Sequence, residues 1–173
     1  MRIEPITAQY LTESLHVIQA AFATAPHTDG HEADLVKALR QSPTYHADYD
    51  VVALNDAGQV IGHAMLSPAT VGDKQWPLFV LAPLAVRPDS QGQGVGGALL
   101  TYLEIQAGED ARRGLSILGD PAYYSRFGYQ PAKNFGITAP TAVPEENFLL
   151  KELFPGGLQG VSGQLQYAPE FGL

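Results

Sequence analysis

Residues 2–6 alternate in polarity and predict a short first strand. From Leu11 to Phe22 the apolar positions Leu11, Leu15, Val17, Ile18 and Phe22 fall near helical spacing, with Thr12 as candidate N-cap. Pro26, Asp29 and Gly30 mark residues 23–30 as a loop. Glu32 to Arg40 predicts a second helix, with acids early, Lys37 and Arg40 late, and Leu35, Val36 and Leu39 on one side. Tyr49–Leu54 and Val60–Leu66 predict strands joined by the hairpin turn Asn55–Gln59. The apolar run 78–86 suits a central strand, and Pro83 inside it predicts a bulge or splay, because it has no N–H for a ladder.

A glycine cluster then precedes a helix over 95–111 whose core face is Leu99, Leu100, Leu103 and Ala107. Residues 115–118 predict a strand and 121–127 a short helix opened by Pro121. The tail predicts a helix near 145–153, a turn at Gly156–Gly157 and a strand near 161–167. The order β-α-α-β-β-β-α-β-α predicts one α/β layer domain over 1–173, with a mixed sheet flanked by helices.

Composition narrows the chemistry. The 173 residues carry a net charge of −8, so the basic footprint of a nucleic-acid binder is absent and a cationic ligand is the easier one to attract. There is no cysteine, which excludes disulfides, thiolate metal sites and a cysteine nucleophile, and is compatible with a reducing cytoplasm. The N-terminus does not read as a signal peptide, and no apolar run is long enough to span a membrane.

The segment Val86–Leu100 (VRPDSQGQGVGGALL) joins a buried strand to an amphipathic helix. Free N–H groups at a helix start favour an anion, and glycines admit a phosphate without Cβ obstruction. The alternative is a plain strand-to-helix turn. Gly92-x-Gly94-x-x-Gly97 formally matches the dinucleotide fingerprint, with Asp120 ending the next strand as a ribose-binding acid. Against that stand the stretch Arg87–Gln91 before the first glycine, the mid-chain position, and Pro83 in the preceding strand.

The spacing Gln91-x-x-Gly94-x-Gly96 fits better. It resembles the Q/R-x-x-G-x-G/A signature of the GNAT N-acetyltransferase superfamily, which binds the pyrophosphate of acetyl-CoA. Pro83-Leu84-Ala85-Val86 followed by Arg87-Pro88 looks like the family's bulged strand. Residues 119–131 (GDPAYYSRFGYQP) look like its C-terminal helix and following strand, with Tyr124 four residues before Gly128-Tyr129. Together with a G-x-x-x-Y-like tail, these segments resemble the YhbS-like branch.

The resemblance implies a splayed central strand pair, with the pantetheine arm along the backbone of Leu84, Ala85 and Val86. It implies pyrophosphate binding by Gln91, Gly92, Gln93, Gly94, Val95, Gly96 and Gly97, and no metal. A backbone N–H near Leu84 would stabilise the oxyanion while the acceptor amine attacks directly. Tyr124 would protonate the departing CoA thiolate; its other reading is a half-buried packing aromatic, as Tyr123 is. Ile117 and Leu118 stand where the family often has an Asn that touches the cofactor.

The base is open between His63, Asp29, His31, Glu32 and a water chain. For His63 the alternative is a satisfied histidine on a sheet face; for the other three it is capping of a helix start. His27-x-x-x-His31 with Asp29 has metal-ligand residue types, but Pro26 and Gly30 place it in a loop. Arg112-Arg113 predicts a helix C-terminal cap or a contact to the CoA 3′-phosphate. The expected protein is a cytoplasmic acetyl-CoA-dependent N-acetyltransferase for a small-molecule or peptide amine, with neither nucleic-acid nor membrane partners and with room for a homodimer. The rivals are a non-catalytic acetyl-CoA sensor and a nicotinamide-nucleotide oxidoreductase.

Overall fold

The structure, a computed structural model, describes residues 1–26 and 28–173. Its contacts divide into two units: residues 1–66 with 82–106, and residues 67–81 with 107–173.

The first unit contains β1 (Arg2–Pro5), α1 (Leu11–Phe22), α2 (Glu32–Arg40), β2 (Asp50–Leu54) and the start of β3 (Val60–Val71). The end of β4 (Trp76–Val86) and most of α3 (Val95–Gly108) follow. β1 pairs antiparallel with β2 from Arg2↔Leu54 to Pro5↔Val51, and β2 with β3 from Asp50↔Met65 to Ala53↔Gly62. The hairpin turn forms as expected, with Asn55 Oδ1 accepting from the N–H groups of Ala57 and Gln59 at 3.0 and 2.9 Å.

Period-two alternation places Val52 and His63 on one sheet face, where Val17 of α1 joins a buried cluster with Ile6, Tyr10, Val52, Leu54 and Val60. Gly62 faces the other way. A Cβ there would lie 2.9 Å from both Leu99 and Val95, so α3 approaches this closely because position 62 has no side chain. Leu99, Leu100, Leu103 and Ala107 are all fully buried, as the helical spacing required. Thr12 is not the N-cap. The helix runs on from a 3-10 turn at Ala8–Tyr10, and the N–H groups of Tyr10 and Leu11 are already bonded to Thr7 O and Ala8 O.

The second unit holds the end of β3, the start of β4, and β5 (Gly114–Leu118), α4 (Pro121–Tyr124), β6 (Gln130–Pro131), β7 (Ile137–Thr138), β8 (Phe148–Glu152) and β9 (Gly163–Gln166). β4 runs parallel to β5, and β8 lies antiparallel to β5 and to β6. β9 pairs antiparallel with β3 and parallel with β7. Parallel and antiparallel ladders together make the mixed sheet that was expected.

Two local expectations are corrected. The helix near 145–153 is a 3-10 turn, Glu145–Asn147, followed by β8. Phe148, Leu149 and Leu150 are buried in a ladder with β5, about thirty residues upstream, and a short apolar run does not by itself distinguish helix from strand. Residues 76–86 form one continuous strand through Pro83. The registered β4/β5 pairs are Phe79↔Leu115 and Val80↔Ser116 and stop short of Pro83, in keeping with the splay reading of that position rather than the bulge. Arg112 and Arg113 do not cap α3. Arg112 donates to Leu78 O at 2.9 Å and lies over the Phe79 ring; Arg113 donates to Gly157 O at 3.2 Å and lies over Trp76.

Candidate functional site

In the first unit the end of β4 leads straight into the glycine turn. The N–H of Arg87 donates to Ile61 O at 2.8 Å, which turns Arg87 toward β3. By strand alternation Ala85 turns the same way, and the N–H groups of Leu84 and Val86 point to the opposite edge. Leu84 and Val86 are half-buried and Ala85 is buried.

A 3-10 turn, Pro88–Ser90, follows, and the glutamines tie the loop back on itself. Gln91 Nε2 donates to Val86 O at 3.1 Å, and Gln93 Nε2 donates to Asp89 O at 3.3 Å. Arg87 pairs with Asp89 at 2.6 Å. Gly92 and Gly94 have φ of 72° and 82°, which a side chain resists, and a Cβ on either would meet nothing within 4 Å. The turn is therefore open in front of both glycines.

Gly94 O accepts from Ala98 N at 3.0 Å, so α3 begins here. The N–H groups of Val95, Gly96 and Gly97 fall in its first turn, where no intrahelical acceptor exists. Val95 and Gly96 are buried, while Gln91 to Gly94 are exposed. An open, glycine-lined turn at the positive end of a helix can hold a phosphate or pyrophosphate. Asp120 does not serve as a ribose acid: its side chain caps α4, accepting from Ala122 N–H at 2.9 Å.

Tyr124 belongs to the second unit. α4 is set by its Asp120 cap and by Pro121 in the first turn, and a 3-10 turn then ends at Gly128, whose φ is 90°. The Tyr124 ring meets Tyr123 edge-on at 4.9 Å between centroids and Tyr129 at 5.9 Å. Burial, with a smaller contribution from Tyr123, raises the Tyr124 phenol well above its ordinary range. The hydroxyl therefore keeps its proton throughout the neutral range. Tyr123 packs on Phe127 and beneath Arg126.

The expected bases are bound elsewhere. Asp29 Oδ1 accepts from the backbone N–H of His31 at 2.8 Å, Glu32 accepts from Thr28 Oγ1, and the His31 ring stands 3.5 Å from Asp34, all at the start of α2. His27 lies outside the described residues. His63 is fully buried, with Nε2 2.7 Å from Asp50 Oδ1. Asp50 is also fully buried. It accepts from Arg40 Nε at 2.7 Å, Arg40 Nη2 at 3.3 Å and Tyr45 Oη at 2.9 Å, while Arg40 Nη2 also donates to Ser14 Oγ at 3.0 Å.

Burial alone would raise the Asp50 pKa, but the hydrogen bonds and charges of His63 and Arg40 outweigh it and hold it at about 2. Burial lowers the His63 pKa against the opposing pull of Asp50. His63 is thus a neutral donor to Asp50, and its Nδ1 has no hydrogen-bond partner among the described residues.

Sequence reasoning missed the Arg40–Asp50–Tyr45 part of this cluster. The available signal was an aspartate opening a strand that is otherwise apolar from Val51 to Leu54.

Residues 47–131 match the model of the acetyltransferase (GNAT) domain. Over 140 residues, 81% of this chain and 83% of the relative, the sequence is 34% identical to the uncharacterized N-acetyltransferase YhbS of Escherichia coli (strain K12). It is 37% identical over 123 residues, 67% of this chain and 65% of the relative, to the uncharacterized N-acetyltransferase YjhQ of the same strain. The crystal structure of E. coli YhbS in complex with CoA superposes with a TM-score of 0.89 at 28% identity, covering 99% of this chain and 92% of that one. A GNAT family acetyltransferase from Brucella melitensis in complex with acetyl-CoA gives 0.80 at 29% identity, covering 98% and 97%. An open glycine turn at the head of α3, carried on a chain 34% identical to YhbS over 81% of its length, places the protein in the GNAT N-acetyltransferase family, in its YhbS-like branch.

Proposed function

We propose that the protein transfers the acetyl group of acetyl-CoA to an amine by direct attack. The observation that carries this reading is the turn Gln91–Gly97, with two left-handed glycines open to solvent beside free helix N–H groups. CoA or acetyl-CoA occupies the two related structures described above, and the donor set here fits the same class of ligand. Gln91, Gly92, Gln93, Gly94, Val95, Gly96 and Gly97 would hold the pyrophosphate. Leu84, Ala85 and Val86 would bind the pantetheine arm through their backbone, with the outward N–H groups of Leu84 and Val86 available.

In the reaction, the amine nitrogen bonds to the acetyl carbon and the C–S bond breaks. The Leu84 N–H stabilises the developing oxyanion, and Tyr124 donates its proton toward the leaving thiolate. An ordinary thiol has a pKa of about 8.5, below that of the raised phenol, so Tyr124 assists departure as a donor and is not indispensable to it. No protein base is assigned, since His63, Asp29 and Glu32 are already engaged; the proton that the amine nitrogen loses leaves through water to bulk solvent, which also returns the Tyr124 proton.

We place the enzyme in the cytoplasm, in keeping with its lack of cysteine; no helix among the described residues is long and apolar enough to cross a membrane. Its acceptor is a small-molecule or peptide amine, and the charge of −8 favours a cationic one.

Acetyl-CoA should raise the melting temperature, since a ligand selective for the folded state must stabilise it. Gly94→Glu should abolish that shift by placing a carboxylate in the cradle. A folded Gly94→Glu protein with an undiminished shift would sink the assignment. CoA release against a panel of polyamines, aminoglycosides and peptides separates enzyme from sensor: tight acetyl-CoA binding with no release for any amine favours the sensor.

A further inference from the structure

Gly119 and Asn147 form a contact that the acetyl-transfer reading does not use. Gly119 follows β5 and precedes the Asp120 cap of α4. Its backbone is outside the left-handed region, so conformation does not demand a glycine here. Space does. A Cβ built on Gly119 would lie 2.5 Å from Cε2 of Tyr124 and 3.1 Å from its Cδ2, closer than atoms can pack. The tyrosine ring therefore rests on the bare Cα of Gly119.

Both polar groups of the Gly119 backbone are held by one residue distant in sequence. The N–H of Gly119 donates to Asn147 O at 2.9 Å, and Asn147 Nδ2 donates to Gly119 O at 3.0 Å. This contact continues the β5/β8 ladder one step past Leu118↔Phe148, with a side chain supplying the second bond. Asn147 thus fixes the floor on which the ring sits, while Tyr123 and Tyr129 flank the ring. The Tyr129 N–H bonds to Tyr124 O at 3.3 Å. The nearby cations face the flanking rings: Arg126 lies over Tyr123, and Lys151 over Tyr129.

We propose that Gly119 and Asn147 are positioning residues that set where the Tyr124 ring lies and therefore where its hydroxyl points. The kinetic consequence rests on Tyr124 acting as the proton donor; the structural one does not.

The test uses Gly119→Ala, Asn147→Ala, Tyr124→Phe and the Gly119→Ala/Tyr124→Phe double variant. The first readout is NMR of protein labelled with 13C at the tyrosine Cζ, the Tyr124 resonance being identified by its loss in Tyr124→Phe. In the parent protein this phenol should titrate well above the ordinary tyrosine range, and in Gly119→Ala it should titrate about one pH unit lower or more, as the ring leaves its seat. Asn147→Ala should shift it less, in the same direction. It also carries the test if Gly119→Ala does not fold. An unmoved titration in the folded variants overturns the proposal.

The second readout is kinetic, with the best amine from the panel. Gly119→Ala should lower kcat about tenfold at unchanged acetyl-CoA Kd, and should add nothing in the Tyr124→Phe background. A moved titration with wild-type kcat in Tyr124→Phe supports the positioning and refutes the donor role. A slow Tyr124→Phe with an unmoved titration in Gly119→Ala and Asn147→Ala does the reverse.

Discussion

A buried aspartate and a half-buried tyrosine differ in what the chain packs around them. Asp50 in the first unit is a charge surrounded by donors: two from Arg40, one from Tyr45 and one from His63. Tyr124 in the second unit is an aromatic against aromatics and a bare glycine. The first arrangement ties α1, α2, β2 and β3 together through Ser14, Arg40, Asp50 and His63. The second leaves a neutral hydroxyl that keeps its proton. Losing either charged member of the first, Asp50 or Arg40, leaves an uncompensated charge in the core. Losing the hydroxyl of the second removes one oxygen and little packing. The Asp50 centre should therefore answer to stability measurements and the Tyr124 centre to rates.

The sharpest way to break this contrast is Asp50→Ala. It leaves the Arg40 guanidinium, only 9% exposed, without its counter-charge. The expected loss is about 3–5 kcal/mol of unfolding free energy, read from urea denaturation near neutral pH. A loss under about 1 kcal/mol would show that the cluster is not the brace described here.

Tyr124→Phe should change stability far less while lowering kcat by about 10–10³-fold, at the modest end of acid–base effects because thiolate leaves readily. Acetyl-CoA affinity should stay within a few-fold. Collapse of that affinity alone would make Tyr124 a binding residue, and a wild-type kcat would make it a packing residue.

Asp120→Ala removes the α4 cap and should cost about 1 kcal/mol of stability. Because the cap lies beside Gly119, it should also loosen the Tyr124 turn, seen as faster amide exchange at Tyr123 and Tyr124, whose N–H groups bond to Asp120 O. Unchanged exchange would confine the cap to stability alone.

The smallest expected effect is on pH dependence. His63 has a lowered folded pKa, so between that value and the ordinary histidine pKa of about 6.5 the unfolded chain binds more protons. Stability should therefore fall as pH drops below about 6.5, and His63→Gln should flatten this slope. Asp50, held at about 2, contributes stability that is lost later, as pH falls from the ordinary carboxylate range through that value. A wild-type melting temperature independent of pH between about 7 and 5 would overturn the His63 assignment.

What the chain dictated by itself lies within a few residues of where it acts. The helical spacing of Leu99, Leu100 and Leu103 fixes which face of α3 is buried. Gly92 and Gly94 supply the left-handed turn, and Gln91 and Gln93 close it with bonds spanning four or five residues. Asp120, Pro121 and Gly128 bound the Tyr124 turn. Capping, helical spacing and left-handed turns are local energies, so one stretch of sequence states them.

Tertiary structure decided what depends on distant partners. Residues 148–152 became a strand because residues 114–118 offered a ladder to a short apolar run that local preference left open. His63 is held in the core because Asp50, thirteen residues away, lies across the hairpin, with Arg40 reaching in from α2. Gly119 lacks a side chain for space and not for backbone freedom, since Asn147, 28 residues on, holds it where a Cβ would meet the Tyr124 ring. Each is a contact whose energy exists only after the chain has closed the loop between its two members, which no window of sequence contains.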